Sequence, residues 1–341
     1  MNRTIAVAAS LLMSTFANAW DSHGHAVVTY LAFEAASDEL PAWALSTDTQ
    51  MRAAYQASEA DRWRGTRMVY LNHENKQEHY LDLELLEQFG LSAESLPRLR
   101  KDYLRTMAIA KVMNPEEMAP YDAARDVDGS REWPGFLPYA IMEHYTKLRS
   151  SFHTVRVLEE INDPERTPHL EQARANAIYH MGMLSHFVGD AAQPLHTTEH
   201  HNGWVGENPN GYTTRRGFHS YIDGGVLRTH GIDFPMLRDQ VGVALVINED
   251  DPWLDAMAHI QRSFDEMEAL YILDRDGELD QSAGKQFISW RLTDAGRTLG
   301  GFYAAAWRHA EPTEEDIEIF LRYTGLLAPE TPALSANAAN D

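Results

Sequence analysis

Apolar residues recur at the spacing of one helix face over most of this chain. In GHAVVTYLAFEAASDEL (24–40), Val28, Leu31 and Ala35 share such a face, which predicts a helix. The segments 97–113, 135–161, 170–192, 252–273 and 286–310 carry the same stripe and are each expected to be helical. Runs that alternate apolar and polar residues, the mark of a strand, are scarce. Between the helices, HHNGWVGENPNGYTTRRG (200–217) is dense in Gly, Asn and Pro and reads as a long loop. The segment 329–341, PETPALSANAAND, is small and polar and reads as a disordered tail. No internal repeat and no Pro-, Gly- or Ser-rich linker divides the rest. The pattern therefore predicts an all-α protein, one mostly helical domain over 20–328.

The first 19 residues break this pattern. Arg3 precedes a short apolar run over 5–16, and Ala17-Asn18-Ala19 has the small-x-small form of a signal cleavage site. The run is shorter than the roughly 20 apolar residues that span a bilayer. A cleaved secretory signal is expected, leaving a secreted or periplasmic chain that begins at Trp20, with no stable membrane anchor and no protein partner implied.

Charge and cysteine content narrow the chemistry. The chain has 29 Lys and Arg against 51 Asp and Glu, a formal charge of −22, or −23 once Arg3 is removed with the signal. So acidic a surface excludes nucleic-acid binding through a broad basic face, but not a small site whose own metal ions supply positive charge. With no cysteine, disulfides and thiolate metal sites are excluded. Any metal must be held by His, Asp, Glu or backbone groups.

Such groups occur at telling spacings. In HFVGDAAQPLH, His186 and Asp190 lie four apart on an expected helix and project from one face; Pro194 ends the helix and His196 follows in the turn. In FHSYID, His219 and Asp223 repeat the spacing. An imidazole and a carboxylate one turn apart can present two ligands to a divalent ion, although a single pair is equally a helix-surface hydrogen bond. ADRWR adds Asp61, and HYLD adds His79 with Asp82 beyond it. Read alone, Asp61 is an ordinary surface acid and His79 a partly buried histidine. Cleavage after Ala19 would give Trp20 a free α-amine beside its own carbonyl oxygen, and the two can chelate a metal that His25 would help to hold.

W-x-x-x-G-H at the mature N-terminus, ADRWR, HYLD, HFVGDAAQPLH and FHSYID occur in this order over 20–223. In this the chain resembles the secreted zinc-dependent single-strand nucleases of the nuclease P-one and S-one type, which share a fold with bacterial zinc-dependent phospholipase C. The resemblance implies three Zn2+ ions. Asp61, His79, His186 and Asp190 would hold the first; His196, His219 and Asp223 the second; the Trp20 amine and carbonyl, His25 and a bridging Asp190 the third. It further implies that Arg64 and Asp190 serve catalysis, Arg64 by stabilising the transition state. Tyr80 and Asp82 would stack on and hydrogen-bond a nucleobase. The implied reaction is attack of a zinc-activated hydroxide on phosphorus in a single-stranded nucleic acid or nucleotide, as an endonuclease or 3'-nucleotidase.

Several details bear on substrate. The five-residue step from Trp20 to His25, the 23-residue step from His196 to His219 and an aspartate at 223 are nuclease-like. The 18-residue step from Asp61 to His79 is longer than expected for them, and the 200–217 loop has no assigned counterpart. Three Zn2+ would offset −23 to about −17, which still disfavours duplex DNA but does not penalise a net-neutral choline phospholipid. The alternative is therefore a phospholipase C acting on phosphatidylcholine-like lipids, and a third reading is a non-catalytic exported zinc-binding protein. DVDGS (126–130) and DRDGELD (274–280) lack the spacing of calcium loops and read as solvated turns. His180, six residues before His186, falls on another helix face, and Trp204 is the loop aromatic placed to meet substrate.

Overall fold

A computed structural model describes residues 20–324, apart from 65, 67 and 122. The expected signal segment and C-terminal tail lie outside the described residues. The chain is a single mostly helical domain. Its helices are α1 (Ser22–Ala35), α2 (Thr47–Gln56), α3 (Glu59–Arg64), α4 (Val69–Asn75), α5 (Arg100–Met113), α6 (Leu137–Ile161), α7 (Thr167–Ala192) and α8 (Phe218–Ser220). They continue with α9 (Val226–His230), α10 (Phe234–Leu237), α11 (Pro252–Phe264), α12 (Met267–Arg275), α13 (Ser282–Arg308) and α14 (Glu314–Tyr323). None of the described helices is long and apolar enough to cross a membrane.

The core is a layer of long helices: α6 lies along α7, α1 along α13, and α2 and α13 both pack on α7. Leu31, Phe152, Leu184, Phe187, Leu299 and Phe302 are among the side chains that fill it, each fully buried. The α1–α13 approach depends on Gly296, where a Cβ would sit 2.5 Å from Leu31 Cβ. Helix boundaries follow local chemistry. Asp21 caps α1, Pro138 stands in the first turn of α6, and Asn162 closes α6 in the left-handed conformation at φ 49°.

Two expected helices are corrected. The 24–40 helix ends at Ala35, and the next five residues are turns leading into Pro41, which disfavours helix at the residue before it. The 252–273 helix is two, broken at 265–266. The apolar stripe runs across the break, with Ile260 on one side and Leu270 on the other both buried, so spacing alone does not register it. The 200–217 segment is irregular, as expected, with only an isolated bridge between His201 and Gly203. DVDGS closes on its own side chains: Asp126 accepts from the amides of Ser130 and Arg131, and Asp128 binds the Ser130 hydroxyl and Lys76.

Candidate metal centre

Five separate segments converge at the C-terminal end of α7. His186 and Asp190 occupy its last two turns, both fully buried. Asp61 comes from α3, His79 from the turn after α4, and His196 from the turn that Pro194 starts beyond α7. His219 and Asp223 stand in α8 and the wide π-turn after it, a geometry often found at functional sites.

The fifth segment is the start of α1. The Asp21 carboxylate accepts from the amides of His23 and Gly24 and meets Arg228 at 2.7 Å, while the Asp21 N–H donates to the Asp223 carbonyl at 3.0 Å. Trp20 is fully buried. It and His25 both lie against Gly189, where a Cβ would stand 2.9 Å from His25 Nδ1 and 3.8 Å from Trp20 Cδ1. Only glycine at 189 allows that approach.

Donor atoms fall into three groups, each within 4.8 Å: His25, His186 and Asp190; Asp61, His79 and His186; His196, His219 and Asp223. Asp190 is the hub. Its Oδ2 lies 3.0 Å from His79 Nδ1 and 3.3 Å from His186 Nε2, and its Oδ1 lies 3.4 Å from His25 Nε2. Asp61 is further out, 3.9 Å from His25 and 4.0 Å from His79. In the other group, His219 Nε2 is 2.9 Å from His196 Nε2 and 3.4 Å from Asp223 Oδ2.

The outward edges of these rings fix their tautomers. Nδ1 meets a backbone carbonyl in His186 (Ala57, 2.7 Å), His196 (His79, 2.5 Å) and His219 (His201, 3.0 Å). A carbonyl only accepts, so Nδ1 carries the hydrogen and each neutral ring turns a bare Nε2 inward. At His196 and His219 two lone pairs thus face each other. His25 Nδ1 and Nε2, Asp190 Oδ1 and Asp223 Oδ2 are buried without hydrogen-bond partners, an arrangement that is costly unless a cation joins them. Ligands about 2.0–2.2 Å from a tetrahedral ion stand roughly 3.3–3.6 Å apart, as Asp190 does from His186 and His25 (3.3 and 3.4 Å) and Asp223 from His219 (3.4 Å). The buried His and Asp groups could hold metal ions.

Electrostatics point the same way. Burial pushes Asp61 up to about 6, with His186 and Arg64 pulling it down. Burial, with the charges of Asp61 and Asp190, pushes Asp223 well above the carboxylate range, although Gln193 opposes this. Burial holds His25, His79 and His219 well below the usual histidine range and His196 down to about 4. His186 goes up despite burial because Asp190 draws a proton to it, and Asp190 goes down in return.

Arg64 Nη1 lies 3.4 Å from Asp61 Oδ1, and its charge is felt at His79, His196 and His219. Tyr80 is half-buried and donates to the Ser130 carbonyl at 2.8 Å. Asp82 is buried with Oδ1 unpartnered, and burial followed by Glu84 and Glu199 pushes its carboxyl well up. Trp204 stacks on His200 at 3.9 Å, packs edge-on to Tyr271, and donates its indole N–H to Glu207. Its contacts are thus with its own loop and α12. His180 pairs with His144 (Nδ1 to Nδ1, 3.3 Å), away from the three groups.

Sequence reading missed the supports. Gln193, inside HFVGDAAQPLH, donates to Asp223 Oδ1 at 2.8 Å and accepts from the Leu195 amide. Asn75 Nδ2 stands 3.2 Å from the outer edge of His79 and 2.9 Å from the Ala60 carbonyl. Beneath the end of α7 lies a second buried polar group. Arg291 donates to the Ala192 carbonyl (2.9 Å) and to Ser263 (2.6 Å), Ser263 donates to the Ala191 carbonyl (2.5 Å), and His259 Nε2 meets the Val188 carbonyl at 3.1 Å. Asp294 lies 3.4 Å from Arg291 and 3.5 Å from His259. The one hint in the sequence was a charged residue, Arg291, within the apolar stripe of α13.

Two histidines outside the ligand groups give a pH expectation. Burial and then His180 hold His144 down to about 3, and burial holds His259 low although Asp294 opposes it. The unfolded chain binds protons at these positions near pH 6.5 while the folded chain does not. Stability is therefore full above that pH and is lost as pH falls, at about 1.4 kcal/mol per pH unit for each such group. Depression of the Asp294 carboxyl adds a further loss below about pH 4. The thermal midpoint of the metal-free chain should fall between pH 7.5 and 5, and less steeply in His144→Gln. A midpoint flat over that range would contradict this.

Among known proteins, no family model matches the chain and no curated protein is significantly similar to it.

Proposed function

We propose that the chain is a trinuclear-zinc phosphodiesterase that hydrolyses single-stranded nucleic acid or nucleotides. The observation that carries this reading is the convergence of inward-facing bare nitrogens and unpartnered carboxylate oxygens around Asp190 and between His196 and His219. The resemblance to the nuclease P-one and S-one type adds the number and identity of the ions, and the Trp20 amine and carbonyl as ligands. Fastening of Asp21 to Asp223, and of Trp20 and His25 to Gly189, supports a role for the mature N-terminus in the third site.

Zinc, when bound, supplies Lewis acidity and brings the pKa of water to about 7. The residues do the rest. Asp61, Asp190 and Asp223 with Arg64 sum to −2 when the five histidines are neutral, so three divalent ions would make the centre about +4 and attractive to a phosphodiester. Asp190, with two oxygens, can hold two ions at a fixed separation. Arg64 offers a permanently charged planar fork to the equatorial phosphate oxygens. Carbonyls of Ala57, His79 and His201 keep the ring nitrogens aimed, and Gln193 orients Asp223.

Arg64→Ala should lower kcat by roughly 10²–10³-fold, the scale of losing one transition-state donor, with zinc content unchanged. Unaltered activity with normal zinc content would remove Arg64 from the transition-state role, whereas a zinc-loaded wild-type chain without chelator-sensitive hydrolysis would support a non-catalytic zinc-binding protein. The exposed apolar side chains Met68, Tyr70 and Val127 favour a second reading, cleavage of phosphatidylcholine-like lipids. Met68 directly precedes α4, Tyr70 lies in it, and Val127 belongs to the neighbouring 126–131 turn, which meets α4 where His73 contacts the Asp128 carbonyl. A side-by-side assay on the zinc-loaded chain tests both. Chelator-sensitive cleavage of a single-stranded oligonucleotide is the expected result, and cleavage of short-chain phosphatidylcholine alone would overturn the nuclease assignment.

A further inference from the structure

The 126–135 segment is fastened along the edge of the site. Its carbonyls at Ser130 and Pro134 accept from the Tyr80 hydroxyl (2.8 Å) and the Asp82 amide (2.7 Å), and Gln77 binds the Gly129 carbonyl at 2.9 Å. The Asp126 carboxylate grips the amides of Ser130 and Arg131 at 3.1 and 2.8 Å. The backbone of Arg131 is thus set immediately beside Tyr80, next in sequence to the ligand His79.

Its side chain is exposed. Neighbouring cations are neutralised: Lys76 by Asp128, Arg100 by Glu78, Lys111 by Glu132. The Arg131 guanidinium has no ion pair, hydrogen bond or ring contact among the described residues. Arg131 is thus an exposed cation, in an otherwise acidic chain, on the segment bound by Tyr80 and the Asp82 amide directly after the ligand His79.

We propose that Arg131 binds a second, non-scissile phosphate, which makes the site selective for polyanionic strands over esters with a single phosphate. This rests on the phosphodiesterase reading and names its substrate class. An exposed guanidinium free of intramolecular partners loses no existing contact when it engages a phosphate, and it can do so bidentately. A phospholipid with one phosphate, already held at the metals, would have nothing to offer it.

The test is fluorescence anisotropy of the zinc-loaded chain with a labelled single-stranded phosphorothioate oligonucleotide between 50 and 200 mM salt. Arg131→Gln should raise Kd about five- to tenfold and lower the slope of log K against log salt by about 0.7, the increment for one phosphate on a single strand. Arg131→Lys should recover most of the affinity and all of the slope. The ratio of oligonucleotide to bis(p-nitrophenyl) phosphate hydrolysis should fall in parallel in Arg131→Gln. Unchanged affinity and slope, or no binding by the wild-type chain, would overturn the proposal. Chelator-sensitive hydrolysis of bis(p-nitrophenyl) phosphate by the wild-type chain separates the two failures: its presence leaves the phosphodiesterase reading standing when the Arg131 assignment falls.

Discussion

Asp190→Asn is expected to lower bound metal from three ions per chain to one and to reduce activity by at least about 10³-fold. Among the described residues, Asp190 is the one carboxylate within 3.5 Å of three imidazoles, His25, His79 and His186, so it belongs to two of the proposed ion sites at once. An amide keeps the shape but offers one neutral oxygen and a donor that faces bare nitrogens. His219→Ala, by contrast, should remove one ion, because the His196 and Asp223 group is held separately. Elemental analysis of the two variants after identical zinc loading checks this. Equal losses would mean that Asp190 does not bridge.

Arg291→Met is expected to destabilise the fold by about 3–5 kcal/mol, the cost of leaving the partners of a buried charge uncompensated. Arg291 is fully buried, and burial pushes its pKa down to about 10, so it stays charged at neutral pH. The last four carbonyls of a helix have no partner within it and carry its negative dipole end. Arg291 supplies both the donors and the charge there, directly to Ala192 and through Ser263 to Ala191. Those carbonyls flank Asp190, so metal affinity should weaken along with stability, and Arg291→Lys should retain part of both. Thermal unfolding with and without zinc reads the two effects; a midpoint shift below about 1 °C would contradict the assigned role.

The long helices were legible because an apolar stripe is a statement about burial, and α6, α7 and α13 bury most of theirs. Helices α2, α3 and α4 were missed: each is short, and they are held by packing on α7 or on one another rather than by a long stripe. Helix α14 was missed although its capping box, Thr313 with Asp316, is written in the sequence. The ligand candidates were legible because metal chemistry demands particular side chains, and His186 and Asp190 at one-turn spacing must share a face. Their supports were not. The carbonyls that fix the histidine tautomers belong to Ala57, His79 and His201, and where a backbone carbonyl ends up depends on how segments cross. Arg131 was invisible for the same reason: only the fastening of its turn to Tyr80 and Gln77 brings it to the site.

The most direct test of the central claim is the zinc content of the folded chain that begins at Trp20, loaded with excess zinc, desalted and measured by native mass spectrometry. Three ions per chain, lost to a strong chelator and restored by zinc, is the expected result. A chain that remains folded with no bound zinc would contradict the reading of its buried histidines and aspartates as a metal centre.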